Sequence, residues 1–100
     1  MQFLVLGHDG ADAKALERRL AARDSHLALG DTLREAGRLL YAAAILDEKE
    51  KMVGSVLICE FNSRQDLDDW LKIEPYVIGK VWEKIEIRPC KVGSSFYKVH

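Results

Sequence analysis

Apolar residues open the chain almost without interruption in QFLVLGH, residues 2–8, and the run stops at Asp9-Gly10. A short, near-continuous apolar segment closed by a turn pair is the pattern of a strand buried on both faces, so the first predicted element is a β-strand. From Asp12 to about Ala36 the chain turns to Ala, Leu, Arg and Glu, all good helix formers, with Leu16, Leu20, Leu27 and Leu33 spaced to meet one core. Asp12 is placed to cap the start of this helix and Gly37 to end it. Arg23-Asp24-Ser25 brings two cap-favouring residues into the middle, which predicts a bend or restart there and puts His26 near the beginning of the second piece.

Two further apolar runs, RLLYAAAIL and MVGSVLICEF, flank the short charged link DEKEK and predict a β-hairpin. Ser63 then opens SRQDLDDWLK, with Asp66 three residues on in the acidic position of a capping box and Leu67, Trp70 and Leu71 forming an apolar stripe. Glu74-Pro75 breaks that helix. A short helical or turn segment around Tyr76 to Gly79 leads to VWEKIEIRP, in which Val81, Ile85 and Ile87 alternate with Trp82, Lys84, Glu86 and Arg88, the pattern of a last strand.

The order is βαββαβ, which predicts an α+β fold of ferredoxin-like type: an antiparallel four-stranded sheet with both helices on one face. Apolar residues occupy both alternating sets of the first strand, Phe3 and Val5 against Leu4 and Leu6, so the uncovered sheet face is not suited to water. A second copy of the chain is the simplest cover, and a homodimer is expected.

One hundred residues suit a single domain over 1–100, with the last stretch, about 93–100, carrying no clear signal. Fifteen Lys and Arg against sixteen Asp and Glu give a net charge of -1, which argues against nucleic acid as a partner. The opening apolar run is too short to span a membrane, so no membrane partner is expected. Cys59 and Cys90 are isolated and form neither a disulfide framework nor a zinc pattern, so reduced thiols and a cytoplasmic location are expected. With no His pair at helical spacing and no Cys cluster, neither a metal nor another cofactor is expected.

The candidate chemistry centres on His26 and Asp9. Asp9 ends the first strand and His26 lies on the helix that follows, an order that can bring a carboxylate onto an imidazole. Such a contact fixes the tautomer and raises basicity, as a general base near neutral pH requires. Against this stand an ordinary helix-border histidine and a plain Asp-Gly turn. His8 points to the opposite sheet face from Asp9 and is read as peripheral, and His100 is terminal. Ser55 follows a strand glycine where a ligand can approach the backbone, or simply fills tight sheet packing. Pro75 and Tyr76 either edge a pocket or mark a helix stop with a core tyrosine. The exposed aromatics of an RNA-recognition sheet and a Gly-rich phosphate loop are both absent.

Taken together, Asp9, RLAARDSHL, AGRLLYAAAIL, MVGSVLICEF, EPYV and VWEKIEIRP resemble the YCII-related (YciI-like) family over residues 1 to about 92. The resemblance implies a ferredoxin-like subunit, a dimeric α/β barrel and a cleft lined by a His-Asp pair, which falls here on His26 and Asp9. One branch of the family is similar to a dehydrochlorinase of a chlorinated hydroxyhydroquinone. Two departures from the family pattern are visible: Ala43-Ala44 stand where Gly-Pro is usual, removing a rigid kink, and Glu74-Pro75 where Asp-Pro is usual, lengthening the acidic arm by one methylene. The expected activity is therefore acid/base chemistry of lyase or isomerase kind on a small organic substrate held by Ser55, Pro75 and Tyr76. The alternative is a non-catalytic dimeric protein that binds a small metabolite.

Overall fold

The computed structural model describes residues 1–96 and has the element order β1 (Gln2–Asp9), α1 (Ala15–Glu35), β2 (Leu39–Leu46), β3 (Met52–Glu60), α2 (Arg64–Leu71), α3 (Pro75–Ile78) and β4 (Trp82–Cys90). The strands form one antiparallel sheet in the order β2-β3-β1-β4, the ferredoxin-like arrangement expected from the βαββαβ order. His100 lies outside the described residues. No helix among the described residues is long and apolar enough to cross a membrane.

Period-2 alternation divides the sheet into two unlike faces. Phe3 and Val5 of β1 pair with Cys59 and Leu57 of β3, and all four are buried beneath the helices. Phe61, Leu67, Trp70, Tyr76, Val81 and Trp82 complete that core. On the other face Leu4 and Leu6 pair with Ile58 and Val56, and no helix covers them. Beside them the same face of β4 carries Lys84, Glu86 and Arg88, with His8 3.6 Å from Glu86. His8 thus sits on the face opposite the core.

The β2–β3 hairpin forms as its flanks predict. Its link turns on Asp47, whose carboxylate accepts the backbone N–H groups of Lys49 and Lys51 at 2.8 and 3.0 Å. Ser63 caps α2 by accepting the N–H of Asp66 at 3.1 Å. Glu74 caps α3 in the same way through Tyr76, with Pro75 in the first turn.

Three expectations are corrected. The first concerns where α1 begins: it starts at Ala15, because the Asp12 carboxylate is taken by the Lys14 N–H and the Arg18 guanidinium in a turn ahead of the helix. It ends at Glu35, and Gly37, whose φ of 74° lies in the left-handed region, turns the chain away just beyond it as expected. Secondly, α1 runs unbroken through Asp24-Ser25, since both side chains are exposed and compete for no backbone group. Finally, Leu16, Leu20 and Leu27 face outward. The inward stripe is Ala15, Arg19, Ala22, His26, Leu29 and Leu33, a repeat of four and three residues in which two core-facing places are polar.

One register shift also matters. A bulge between His8 and Asp9 lets Gly7 pair with Ile85 and Asp9 with Trp82, so Trp82 turns inward with Ile85 and away from the charged side of β4.

Candidate active site

The polar places on the inner stripe of α1 build the site. Arg19 is buried, and one terminal N–H group lies 3.0 Å from each oxygen of Asp9 at the end of β1. Its other terminal nitrogen donates to Ser55 Oγ at 2.9 Å, and the Trp82 indole N–H donates to the same oxygen at 3.2 Å. Ser55 therefore accepts two hydrogen bonds and retains its own O–H to donate. The Arg19 guanidinium also lies 4.8 Å from the centre of the Tyr76 ring, within cation–π range.

His26 lies two helical turns beyond Arg19, roughly 10 Å further along the axis. Its Nδ1 hydrogen bonds to Oε1 of Glu74, a buried carboxylate that also accepts the Tyr76 N–H at 3.1 Å. Against an ionised carboxylate Nδ1 is the donor of this contact, which leaves Nε2 as the open nitrogen of the ring. The imidazole stacks on Tyr76 with centroids 3.7 Å apart and planes 7° from parallel, and Trp82 meets it edge-on at 6.0 Å. Ring orientation is thus fixed from one edge and one face. Burial pushes the Tyr76 phenol up, against the pull of Arg19 and Arg23.

The dyad expected from the sequence is not the contact that forms. Asp9 is held by Arg19 and His26 by Glu74. The reason is geometric: α1 leaves the end of β1 with Arg19 over Asp9, and the always-charged guanidinium takes the buried carboxylate, while His26 is carried on to the α2–α3 junction. Arg19 is not among the sequence candidates, and Glu74, read with Pro75 and Tyr76 as a possible pocket edge, is not expected as the partner of His26. The available signal was an arginine in the inward repeat Ala15-Arg19-Ala22-His26, where a solvated arginine has no place.

A cavity of about 170 Å³ brings together Arg19, Arg23, His26, Ser55 and Tyr76, with Ala42 to Ala44 of β2 along one wall. Ser55 and Tyr76 thus border a pocket with His26. Asp9 and Pro75 do not line it, Asp9 lying behind Arg19 and Pro75 serving as the first residue of α3. Arg23 is exposed and has no carboxylate within ion-pair distance among the described residues. Its charge and the Ser55 O–H make the pocket suited to an anionic oxygen, with the imidazole beside it as an acceptor. No group of His, Cys, Asp and Glu with the makings of a metal site occurs among the described residues.

The model of the YCII-related domain matches residues 1–91. The chain belongs to the YCII-related family. Protein YciI of Escherichia coli O6:H1 is 34% identical over 97 residues, covering 91% of this chain and 97% of that protein. An uncharacterized protein of Haemophilus influenzae is 38% identical over the same length and the same shares. Among solved structures, the 5-chloro-2-hydroxyhydroquinone dehydrochlorinase of Burkholderia phenoliruptrix, in complex with 2,5-dihydroxybenzoquinone, superposes with a TM-score of 0.80. It is 21% identical, covering 95% of this chain and 98% of that one, so this likeness bears on the fold. In this member of the YCII-related family the acidic place before Pro75 is occupied by Glu74, the partner of His26.

Proposed function

We propose that this YCII-related protein is an acid/base enzyme of lyase or isomerase kind acting on a small acidic organic molecule, with His26 as the proton-transferring group. The observation that carries the reading is the Glu74-held imidazole at a cavity shared with Arg19, Arg23 and Ser55. In the proposed step Nε2 removes a proton next to a carbonyl, and the electron pair moves onto the carbonyl oxygen. The Arg23 guanidinium and the Ser55 O–H stabilise that enolate. The enolate then either takes the proton back at another carbon or expels a leaving anion from the adjacent carbon. Both routes close without an oxidant or reductant. Glu74 orients the ring and stabilises the imidazolium, and Asp9 acts indirectly by holding Arg19 against Ser55.

The structural neighbour's ligand supplies the first probe, because 2,5-dihydroxybenzoquinone is an acidic enol of a size that suits the cavity. Saturable binding is expected, weakened at least tenfold in Arg23→Ala. Chloride release from 5-chloro-2-hydroxyhydroquinone tests turnover; there His26→Gln should cost about 10²–10⁴ in kcat, the usual worth of a positioned acid/base. A His26→Gln protein that folds and turns over at the wild-type rate overturns the reading. Binding without chemical change, for this and related acidic enols, favours the metabolite-binding alternative.

The homodimer belongs to the same proposal. Leu4, Leu6, Val56 and Ile58 form an uncovered apolar centre on the open sheet face, which a symmetric second copy would bury. Light scattering should give twice the chain mass, and Leu6→Lys should return a monomer.

A further inference from the structure

A second cavity of about 200 Å³ adjoins the first, and the two share His26, Leu27, Ala42 and Leu57 in their walls. Their chemistry differs. The first holds the arginines and Ser55, while the second is walled by Leu33, Leu39, Leu57 and Trp70, with Glu74 at the side of the shared imidazole. Arg34 and Asp31 also border it, but they pair with each other at 3.1 Å and have no unmet charge to offer a ligand.

Trp70 belongs to the core and walls this cavity, whereas Gly30 has no role in the fold. Gly30 stands in the middle of α1, where glycine is the poorest helix former after proline. Its φ is not positive, and an added Cβ would meet only Leu39 Cδ2 at 3.6 Å, an ordinary contact. Neither backbone nor packing demands a glycine there. A longer side chain at this place would grow into the cavity.

We infer that the Gly30–Trp70 cavity is a second compartment of the site, built for an uncharged, ring-sized arm of the ligand. An apolar cavity of about 150 Å³ is enough to hold benzene, so one aryl ring with a small polar substituent fits the volume here. This inference rests on the proposed acid/base reading for the acidic head beside Arg23 and Ser55, and it narrows the substrate class. The ligand is an acidic, enolisable head joined to an aryl or similar apolar arm, with His26 at the junction. Gly30 becomes the residue that sets whether the arm is admitted.

Three probes test it on the full chain. Acetophenone, a neutral ring with one acceptor, is titrated while the indole N–H signals are followed by NMR, with Trp70→Phe assigning the Trp70 resonance. A saturable shift of that signal is expected in the wild type and none in Gly30→Leu, a change that favours the helix. Next, 2,5-dihydroxybenzoquinone and its 3-phenyl derivative are compared. The phenyl group should tighten binding at least tenfold in the wild type, and the gain should vanish in Gly30→Leu while the unsubstituted compound binds as before. Absence of an acetophenone response at Trp70, or a phenyl gain that survives Gly30→Leu, overturns the compartment. Should 2,5-dihydroxybenzoquinone itself fail to bind, the acidic-head reading falls, and acetophenone still decides the cavity.

Discussion

Replacing Asp9 by Ala leaves the Arg19 guanidinium buried under α1 without its counter-charge. Both side chains are only 3% exposed, and the N–O separations are 3.0 Å. At that distance and an effective dielectric of about 20, unit charges attract by about 5 kcal/mol. Desolvating two ions offsets much of this, so the intact pair is worth little more than two apolar residues, whereas losing one member costs about 3–5 kcal/mol. A domain of this size is stable by only about 5–15 kcal/mol, so the effect is large. Asp9→Ala and Arg19→Ala are each expected to lower the unfolding free energy by about 3–5 kcal/mol, and the Asp9→Leu/Arg19→Met double variant to recover most of it. Urea unfolding followed by tryptophan fluorescence, in double-mutant cycles, reads the pairing directly. The Asp9–Arg19 coupling should be about 2 kcal/mol or more, and the Asp9–His26 coupling no more than about 0.5 kcal/mol. An Asp9–His26 coupling as large as that of Asp9 with Arg19 would refute the assignment of partners.

Other expectations follow from single residues. Glu50, in the β2–β3 link, has a φ of 63°, so Glu50→Gly should stabilise by about 1 kcal/mol in the same urea assay. Gly7→Ala would place a Cβ 2.6 Å from the Trp82 indole; a loss of about 1–3 kcal/mol is expected, with a changed tryptophan emission as Trp82 moves off Ser55. Burial pushes the Cys59 thiol from 9.0 up to about 12. The folded state thus holds this proton longer than the unfolded chain, so its contribution is intact below pH 9 and is lost as pH rises from 9 towards 12. Cys59→Ala should flatten that part of the stability profile, and thiol labelling of the native protein at pH 8 should favour Cys90, which is less buried.

The fold was readable because its signals are local. QFLVLGH, the DEKEK link and Ser63 with Asp66 each specify an element from a few neighbouring residues, and the βαββαβ order then leaves few topologies. The site was only half readable. Ser55, Tyr76 and His26 do border one pocket, but their partners depend on register and helix phase. Trp82 faces inward because of a bulge opposite Asp9, a consequence of strand pairing that alternation along β4 alone does not contain. Leucine spacing set the wrong phase for α1, because its inner face covers a polar site and is built from alanines, Arg19 and His26 in place of large apolar residues. Glu74 with Pro75 was read as a helix stop and a possible pocket edge; it caps the start of α3, and its second task as the partner of His26 needed the third dimension.

Arg19, Arg23, His26 and Gly30 follow one another at intervals of four, three and four residues on a single unbroken helix. They span about 16 Å along its axis. Alpha-helix 1 therefore serves as a ruler: the anion-facing end, the imidazole and the opening for an apolar group are graduations on one rod, and none can be moved without the others. Inserting a single residue between His26 and Gly30 would turn the far graduation by about 100° and send it to solvent. A change in the length of molecule accepted is thus available through side chains at Gly30, and is closed to any shift of a loop.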